Sequence, residues 1–333
     1  MPAPTAMTLP AESQPQTSNR DATTATLLAQ SKVITFIGGG NMAEAILGGL
    51  LAKGFQPSHI RVSDPMDARC QYLHSKYQVL AYTDNSQAIL GQRGPYSSTA
   101  NTTTEGKPTD IVIMAVKPQV LETVIAPIAP LLVENKPLII SIAAGIRTRD
   151  LQRWVKQHGG QAAADASGSL PSVVRCMPNT PALVGHGASG LYADSSVSDA
   201  ERRMSSEIMG AVSKSFWLER EDLIDAVTAV SGSGPAYFFL MLEAMKEGGE
   251  AAGLPGDLAA QLAAQTCLGA AHMVLQATDD SAADLRRKVT SPKGTTEAAV
   301  NTMVAGGLKK AVVDGVLAAN SRSKELADIL GKQ

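Results

Sequence analysis

One stretch near the start of the chain constrains the fold more than any other: an apolar run, Val33 to Ile37, stops at three glycines and restarts as a helix-like apolar segment. The pattern is G-x-G-x-x-A, which predicts strand, tight turn and helix. Gly38 permits the turn, Gly40 lets a ligand approach the backbone, and Ala43 allows close helix–strand packing. The N–H groups and positive dipole end of the new helix favour a pyrophosphate at this turn. Glycine triplets also form plain turns, but the flanking strand and helix favour a dinucleotide site.

Size and composition predict a folded protein of about two domains. The chain has 333 residues, of which 44% are hydrophobic and 18% charged, and its net charge is -2. No apolar run approaches the roughly 20 residues of a membrane helix. Because the basic residues are scattered, we expect a small-molecule partner instead of nucleic acid or a membrane. Three distant cysteines and five histidines without metal-type spacing predict a reducing compartment, the cytoplasm, and no metal site.

Three polar regions are expected to lie outside the core. Residues 1–30 have few large apolar side chains, so we expect a disordered tail that lacks the pattern of a secretory signal or mitochondrial presequence. Residues 91–108 predict a surface insertion and residues 159–172 a loop, because both are rich in small and polar residues.

The apolar runs that follow the glycine turn predict a parallel sheet covered on both faces. Residues 109–116, 137–142 and 173–177 are typical of buried parallel strands, and shorter strands near 59–64, 190–192 and 215–218 complete about seven or eight. Asp64 ends the second strand, where an acid reads the ribose hydroxyls; capping of the next helix is an equally good interpretation. Lys117 follows a central strand, which favours the ligand crevice over a plain solvent-exposed lysine.

From Glu221 the pattern changes to helices. We expect a break between two helices at residues 231–234, because Pro235 suits the first position of a new helix. Further helices are predicted over 258–277, 285–289, 297–304 and 308–330, and their many small residues favour an interlocked dimer over a monomeric bundle. The predicted fold is α/β: an N-terminal Rossmann-type doubly wound sheet, residues 31–219, followed by an all-helical C-terminal domain that suits dimerisation, residues 220–333.

Six short motifs between Val33 and Leu330 carry a family resemblance. The most specific are D-A-V-T-A-V-S-G-S-G-P-A-Y from Asp225 and S-P-K-G-T-T-E-A from Ser291, supported by F-I-G-G-G-N-M, A-V-K-P, S-I-A-A-G and R-C-M-P-N-T-P. Together they resemble the pyrroline-5-carboxylate reductase family. The resemblance implies hydride transfer from NADPH or NADH to a cyclic imine that bears a carboxylate, giving L-proline in the last step of proline biosynthesis. It also implies a homodimer within a larger homo-oligomer.

Two positions depart from the family pattern. Lys293 stands where relatives commonly have glycine, and Asp64 stands where many have Ser or Thr. A carboxylate at position 64 would repel a 2′-phosphate, so the choice between NADPH and NADH stays open, with Ser63 and Arg69 as candidate ligands of that phosphate.

The resemblance also implies the residues of the site. The coenzyme-binding residues are Ile37, Gly38, Gly39, Gly40, Asn41, Met42, Ser63, Asp64, Asn85, Ala115, Val116, Lys117, Pro118, Ala143, Ala144 and Gly145. The substrate-binding residues are Glu221, Ser231, Ser233, Asp279, Ser291, Gly294, Thr295 and Thr296.

The chemistry needs no strong acid. Thr228 is expected to hold a water, and the carboxylates of Glu221 and Asp279 to favour the protonated imine, although both read equally well as helix-start acids. Thr295 and Thr296 suit a carboxylate, and an ordinary helix cap is the alternative.

Two rival functions are a reductase of another imine or hydroxy acid, which should carry a catalytic lysine or acid in the helical domain, and a non-catalytic NADP(H) sensor.

Overall fold

The computed structural model describes residues 31–96, 104–160 and 170–331. The predicted tail and the middle of each polar insertion lie outside these residues. The strands are β1 (Ile34–Ile37), β2 (Ile60–Ser63), β3 (Leu80–Tyr82), β4 (Ile111–Met114), β5 (Leu138–Ser141), β6 (Val173–Met177), β7 (Gly187–Ala193) and β8 (Ser213–Trp217). The helices are α1 (Asn41–Ala52), α2 (Asp67–Tyr77), α3 (Asn85–Leu90), α4 (Leu121–Asn135), α5 (Thr148–His158), α6 (Asp199–Met209), α7 (Leu223–Val227), α8 (Gly234–Ala251), α9 (Gly256–Gln276), α10 (Ala282–Lys288), α11 (Thr295–Ala305) and α12 (Leu308–Leu330).

The strands form one sheet in the order β3-β2-β1-β4-β5-β6-β7-β8. Neighbours from β3 to β6 pair in parallel, β7 runs antiparallel to β6, and β8 runs parallel to β7. The order reverses between β1 and β4, which is the switch point where a doubly wound sheet opens a ligand crevice. The Rossmann-type prediction is confirmed. Strand β3 was not predicted, because three residues are too few to show a pattern.

Apolar side chains cover both faces of the sheet. In β1, Phe36 packs in one fully buried cluster with Leu47 of α1, whereas Ile37 packs in a second cluster with Leu121 and Ile125 of α4. Successive residues of a strand point to opposite faces, so a strand buried on both faces must be apolar at every position. This requirement explains the near-continuous apolar runs of the sequence.

The predicted break at residues 231–234 lies where regular α-helix is interrupted: α7 ends at Val227, Ser233 is a bend, and α8 begins at Gly234 with Pro235 in its first turn. Helices α7 and α8 are joined through a π turn, Thr228–Gly232, into one helical stretch of 29 residues, Leu223–Ala251. Ser233 N donates to Thr228 O, five residues back, at 2.8 Å. The interruption therefore takes the form of a widened π turn, which the sequence did not predict, and not of an open loop.

Two helical stretches, Leu223–Ala251 and Gly256–Gln276, are long and apolar enough to cross a membrane by length and composition, contrary to the expectation from the sequence. In the most apolar 18-residue segment of each stretch, only 22% and 11% of the residues, respectively, are buried within the chain. Their exposed side chains include Phe238, Phe239 and Leu262. Helix length and composition alone are weak support for a membrane span, because the core helices of other proteins pass the same test.

The end of α12 packs back onto the first domain. Leu330 is buried in the apolar cluster that contains α4 and α5. Arg147 Nη2 pairs with Asp328 Oδ1 at 2.6 Å, and Arg153 Nη2 donates to Gly331 O at 2.7 Å. The last turn of the chain therefore supports the segment that follows β5.

Gly145 and Gly185 offer a matched test of this support. Both have a φ of +76°, but a Cβ at Gly145 would lie 3.1 Å from Leu330 Cδ1, whereas a Cβ at Gly185 would meet nothing within 4 Å. Both Gly→Ala changes should cost about 1–2 kcal/mol of unfolding free energy from the left-handed backbone. We expect Gly145→Ala to cost about 1 kcal/mol more from overpacking, measured by urea unfolding. Equal losses would show that Leu330 does not press on Gly145.

Candidate active site

Most of the predicted coenzyme residues meet at the carboxyl ends of neighbouring strands. Ala115 N donates to Ile37 O at 2.8 Å, and Ile142 N donates to Met114 O at 3.1 Å. These bonds align the segments that follow β1, β4 and β5 along one edge of the sheet. The aligned segments are residues 38–42, 115–118 and 143–145. In open α/β sheets, this edge at the switch point is where ligands bind.

The glycine turn has the space and the donors that a pyrophosphate requires. Gly38 has a φ of +97°, and a Cβ there would lie 2.8 Å from Ala115 O. Gly40 is the N-cap of α1, and a Cβ there would meet nothing within 4 Å. Gly40 and Asn41 are both exposed, and the first N–H groups of a helix have no partner within it, which fits an anion bound at the N-terminus of α1.

Asp64 is anchored against this turn. Its Oδ2 accepts from Gly39 N and its Oδ1 accepts from Met66 N, both at 3.0 Å. The N-cap of α2 is Met66, and no side chain caps that helix. The carboxylate of Asp64 thus lies beside the glycine turn, where the ribose of a dinucleotide is read, and helix capping is not its role.

Arg69 is held on the other side of the turn. Its Nε donates to Gly39 O at 2.5 Å, and its Nη2 pairs with Glu44 Oε2 at 2.5 Å. Burial opposes ionisation of Glu44, but hydrogen bonds from Lys76, Arg69 and two tyrosines outweigh it and lower the Glu44 pKa to about 2. Glu44 therefore keeps its negative charge and fixes Arg69.

Ser63 takes a different position from the one expected. Its side chain is fully buried, and its hydroxyl donates to Asn85 Oδ1 at 2.6 Å. A fully buried hydroxyl that donates to a side chain of α3 is not open to a ligand in the crevice. The structure thus corrects the expectation for Ser63, whose hydroxyl orients Asn85 at the start of α3.

The segments after β4 and β5 present small or exposed groups to the crevice. Lys117 is exposed and precedes a short 3₁₀ turn that begins at Pro118. Ala143 is buried, whereas Ala144 is exposed. Small side chains at this edge leave room for a flat ring.

Three hydroxyl residues from the sequence analysis lie in or beside the π turn. Thr228 Oγ1 donates to Ile224 O at 2.8 Å, and Ser231 Oγ donates to Val227 O at 3.1 Å. Ser233 follows the turn directly. Donation to a backbone carbonyl leaves the oxygen lone pairs of Thr228 and Ser231 free to accept a hydrogen bond.

Glu221 lies at the junction of the two domains. It accepts from Thr148 N at 2.7 Å, at the first residue of α5, and from Arg175 Nη1 at 3.3 Å. Arg175 is 3% exposed; burial lowers its pKa, while Glu221 and Asp225 oppose this shift. Glu221 is therefore occupied as the partner of a buried guanidinium and a helix end. The arginine inside an apolar strand was the sequence signal for this pair, although no role was predicted for Arg175.

The segment at residues 291–296 is shaped by its backbone. Lys293 has a φ of +60°, a left-handed conformation that glycine adopts without strain, and Lys293 N donates to Glu297 Oε2 at 2.7 Å. Helix α11 begins at Thr295, and its N-cap is Gly294, which has no side chain. The hydroxyls of Thr295 and Thr296 are therefore not helix caps.

The remaining predicted acid, Asp279, lies just before α10. Asp279 is exposed, and Thr278 Oγ1 donates to its Oδ2 at 3.1 Å. The cap of α10 is formed by Ser281 and Asp284, so Asp279 does not cap a helix. Over residues 31–96, 104–160 and 170–331, no group of three or more His, Cys, Asp or Glu side chains is arranged to hold a metal ion.

Comparison with known proteins gives matches over nearly the whole described chain. Residues 221–326 match the family "Pyrroline-5-carboxylate reductase dimerisation", and residues 33–145 match "NADP oxidoreductase coenzyme F420-dependent". Pyrroline-5-carboxylate reductase of Pseudomonas aeruginosa is 42% identical over 90% of this chain and 98% of its own length. The enzyme of Synechocystis is 40% identical over 87% of this chain and 96% of its own.

Solved structures agree with these matches. A pyrroline-5-carboxylate reductase from Coxiella burnetii has a TM-score of 0.75 and 38% identity, covering 89% of this chain and 98% of its own. The Plasmodium falciparum pyrroline carboxylate reductase with NADP bound has a TM-score of 0.72 and 25% identity, covering 90% of this chain and 99% of its own.

The placement of Asp64 predicts the preference between the two coenzymes. A carboxylate about 4 Å from a 2′-phosphate costs roughly 4 kcal/mol at an effective dielectric of 20, and salt reduces this repulsion. We therefore expect Asp64→Ser to raise the ratio of NADPH to NADH affinity by about tenfold or more, measured as Kd by fluorescence titration.

Asp67→Ser is the matched control, because it removes the same charge from the first turn of α2. It should change the affinity ratio much less. If the two variants behave alike, Asp64 acts through net charge and does not face the ribose.

Proposed function

The chain belongs to the pyrroline-5-carboxylate reductase family, and we infer that it transfers a hydride from NAD(P)H to the C=N carbon of pyrroline-5-carboxylate, giving L-proline. The observation that carries this inference is 42% identity over 90% of the chain with a curated member of the family. The reduced nicotinamide supplies the hydride when it is bound. The protein must place the two rings face to face, hold the substrate carboxylate and favour the protonated imine.

For the coenzyme, we assign the pyrophosphate to the N–H groups at the start of α1 and the adenosine ribose to Asp64 and Asn85. The alignment of β1, β4 and β5 supports a nicotinamide between the glycine turn and Ala144, with Lys117 and Pro118 on its flank. Arg69, which is paired with Glu44, stabilises the glycine turn through its hydrogen bond to Gly39 O. Either NADPH or NADH can serve as the coenzyme, with Asp64 weakening but not abolishing NADPH binding.

For the substrate, we assign the carboxylate to Ser291, Gly294, Thr295 and Thr296. Two features support this assignment: the N-cap of α11 is a glycine, and the threonine hydroxyls are not used as caps. The N–H groups at a helix start attract an anion, and the hydroxyls add donors.

For the imine nitrogen, we favour Asp279 over Glu221 as the nearby carboxylate. Asp279 is exposed, whereas Glu221 is occupied by Arg175 and Thr148. A carboxylate near the nitrogen raises the fraction of the protonated imine, which accepts a hydride more readily. Thr228, Ser231 and Ser233 then form the wall of the substrate pocket.

The exposed apolar helices fit a homodimer, which the matched dimerisation region at residues 221–326 supports. Phe238, Phe239 and Leu240 of α8 are all exposed in a single chain, and a second copy would bury them. Ser291 and Thr295 are exposed as well, so we propose that dimerisation completes the substrate site. We further propose a larger homo-oligomer in the cytoplasm, not inserted in a membrane and without nucleic acid.

The direct test is NADPH or NADH oxidation with pyrroline-5-carboxylate, compared with larger cyclic imines. We expect turnover of the five-membered imine with both coenzymes and much lower kcat/KM for the larger rings. Absence of turnover with pyrroline-5-carboxylate would refute the proposed reaction.

Thr296→Val tests the carboxylate assignment. The change keeps the side-chain shape but removes a donor to a charged group, which costs about 1.5 to 3 kcal/mol. We expect kcat/KM for pyrroline-5-carboxylate to fall by about 10- to 100-fold, with coenzyme affinity almost unchanged.

Thr302→Val is the control, because Thr302 lies on the same helix and its hydroxyl only donates to Ala298 O. It should leave the kinetics unchanged. A lower melting temperature for Thr296→Val with normal kinetics would remove Thr296 from the site.

A further inference from the structure

The π turn at Thr228–Gly232 has a direct effect on the hydroxyls beside it. A π turn carries one residue more than an α turn, so everything after it is rotated by about 100° relative to a regular helix. Thr228 and Ser231 lie inside the turn, and Ser233 donates its N–H across it to Thr228 O at 2.8 Å. Whether these hydroxyls face one common pocket therefore depends on keeping the turn in its π form.

Two side chains bind the backbone carbonyls of this turn. Asn179 Nδ2 donates to Ser231 O at 3.0 Å, and Tyr237 Oη donates to Ala229 O at 3.0 Å. A widened turn disrupts the regular i→i+4 pairing, so its carbonyls need other donors. Asn179 and Tyr237 supply these donors from two different elements, the segment after β6 and helix α8.

Asn179 connects the turn to the sheet. It is 8% exposed and lies just after β6. Its Oδ1 accepts from Ala188 N of β7 at 2.9 Å, while its Nδ2 serves Ser231 O. The two partners require opposite polarity at the two ends of the side chain, and a carboxylate can satisfy only one of them.

The residues around Asn179 strengthen this connection. A Cβ at Gly232 would lie 2.7 Å from Met177 Cε, so the end of β6 presses against the turn where it has no side chain. Met177 and Asn179 belong to one segment, R-C-M-P-N-T-P, whose function the sequence analysis left open. The segment supports the π turn from the coenzyme domain.

We propose that Asn179 is a positioning residue, which holds the π turn so that Ser231 and Ser233 face the substrate. This inference rests on the proposed function. Asn179 acts through the turn and does not itself contact the reacting atoms.

Asn179→Asp is the first test, because it keeps the shape and the acceptor for Ala188 N but removes the donor to Ser231 O. We expect kcat/KM for pyrroline-5-carboxylate to fall by about 10- to 100-fold, through both a lower kcat and a higher KM. The KM for the coenzyme should stay within about twofold. Hydrogen exchange at the Ser233 amide should become faster, because the turn is less firmly held.

Asn135→Asp is the matched control. Asn135 is a partly buried amide at the end of α4, and its Nδ2 donates to one helix carbonyl, Leu131 O, at 2.9 Å. The same chemical change there should leave the kinetics and the exchange of Ser233 unaltered. Tyr237→Phe is the second variant, and it should lower kcat/KM in the same direction by releasing Ala229 O.

The outcomes distinguish the positioning role of Asn179 from the proposed reaction itself. A lower melting temperature for Asn179→Asp with unchanged kinetics would overturn the positioning role, as would an equal loss of coenzyme affinity. Unchanged exchange at Ser233 would also overturn it, whatever the turnover. Failure of the unaltered enzyme to reduce pyrroline-5-carboxylate would refute the proposed function, while the exchange comparison still decides the role of Asn179.

Discussion

The parallel pairing of β1 with β4 is the interaction on which the site depends. The bond from Ala115 N to Ile37 O holds two strand ends side by side, although 77 residues separate Ile37 and Met114 along the paired register. The connections from these strands leave in opposite directions, so the edge between them stays open. Gly38 is the residue that makes the close approach possible, because Ala115 O would collide with any Cβ there. The proposed pyrophosphate and nicotinamide contacts lie at this edge.

In the helical domain, the residues proposed to bind substrate lie where the backbone is irregular. The regular helices of this domain present apolar faces, which suit association, whereas the proposed substrate groups lie at departures from regular helix. These are the π turn at Thr228–Gly232 and the left-handed residue Lys293 before α11. Unusual backbone persists where surrounding contacts hold it, as Asn179, Tyr237 and Glu297 do here. The substrate side of the site thus depends on supporting residues as much as on the groups that face the ligand.

Much of this arrangement could be predicted from the sequence because it rests on local patterns. The glycine turn, the buried strands and α12, predicted over 308–330, all follow from periodicity and turn chemistry. The hydroxyl of Ser63 could not be placed, because its hydrogen-bond partner Asn85 lies on another element, 22 residues further along the chain. The π turn was missed because glycine and proline weaken a helix locally, while tertiary hydrogen bonds decided the outcome. The roles of Arg175 and Asn179 were missed for a similar reason. Their hydrogen-bond partners lie on other elements, whereas a sequence pattern describes a single element.

The docking of α12 has a consequence for how the protein is made. Arg147 meets Asp328 and Arg153 meets Gly331, contacts that join residues 181 and 178 positions apart. The strands of the sheet all lie before residue 218, so they can pair before residues 328–331 leave the ribosome, whereas the segment after β5 gains this support only afterwards. Pairing of the sheet and docking of α12 are therefore separable events in the folding of a growing chain.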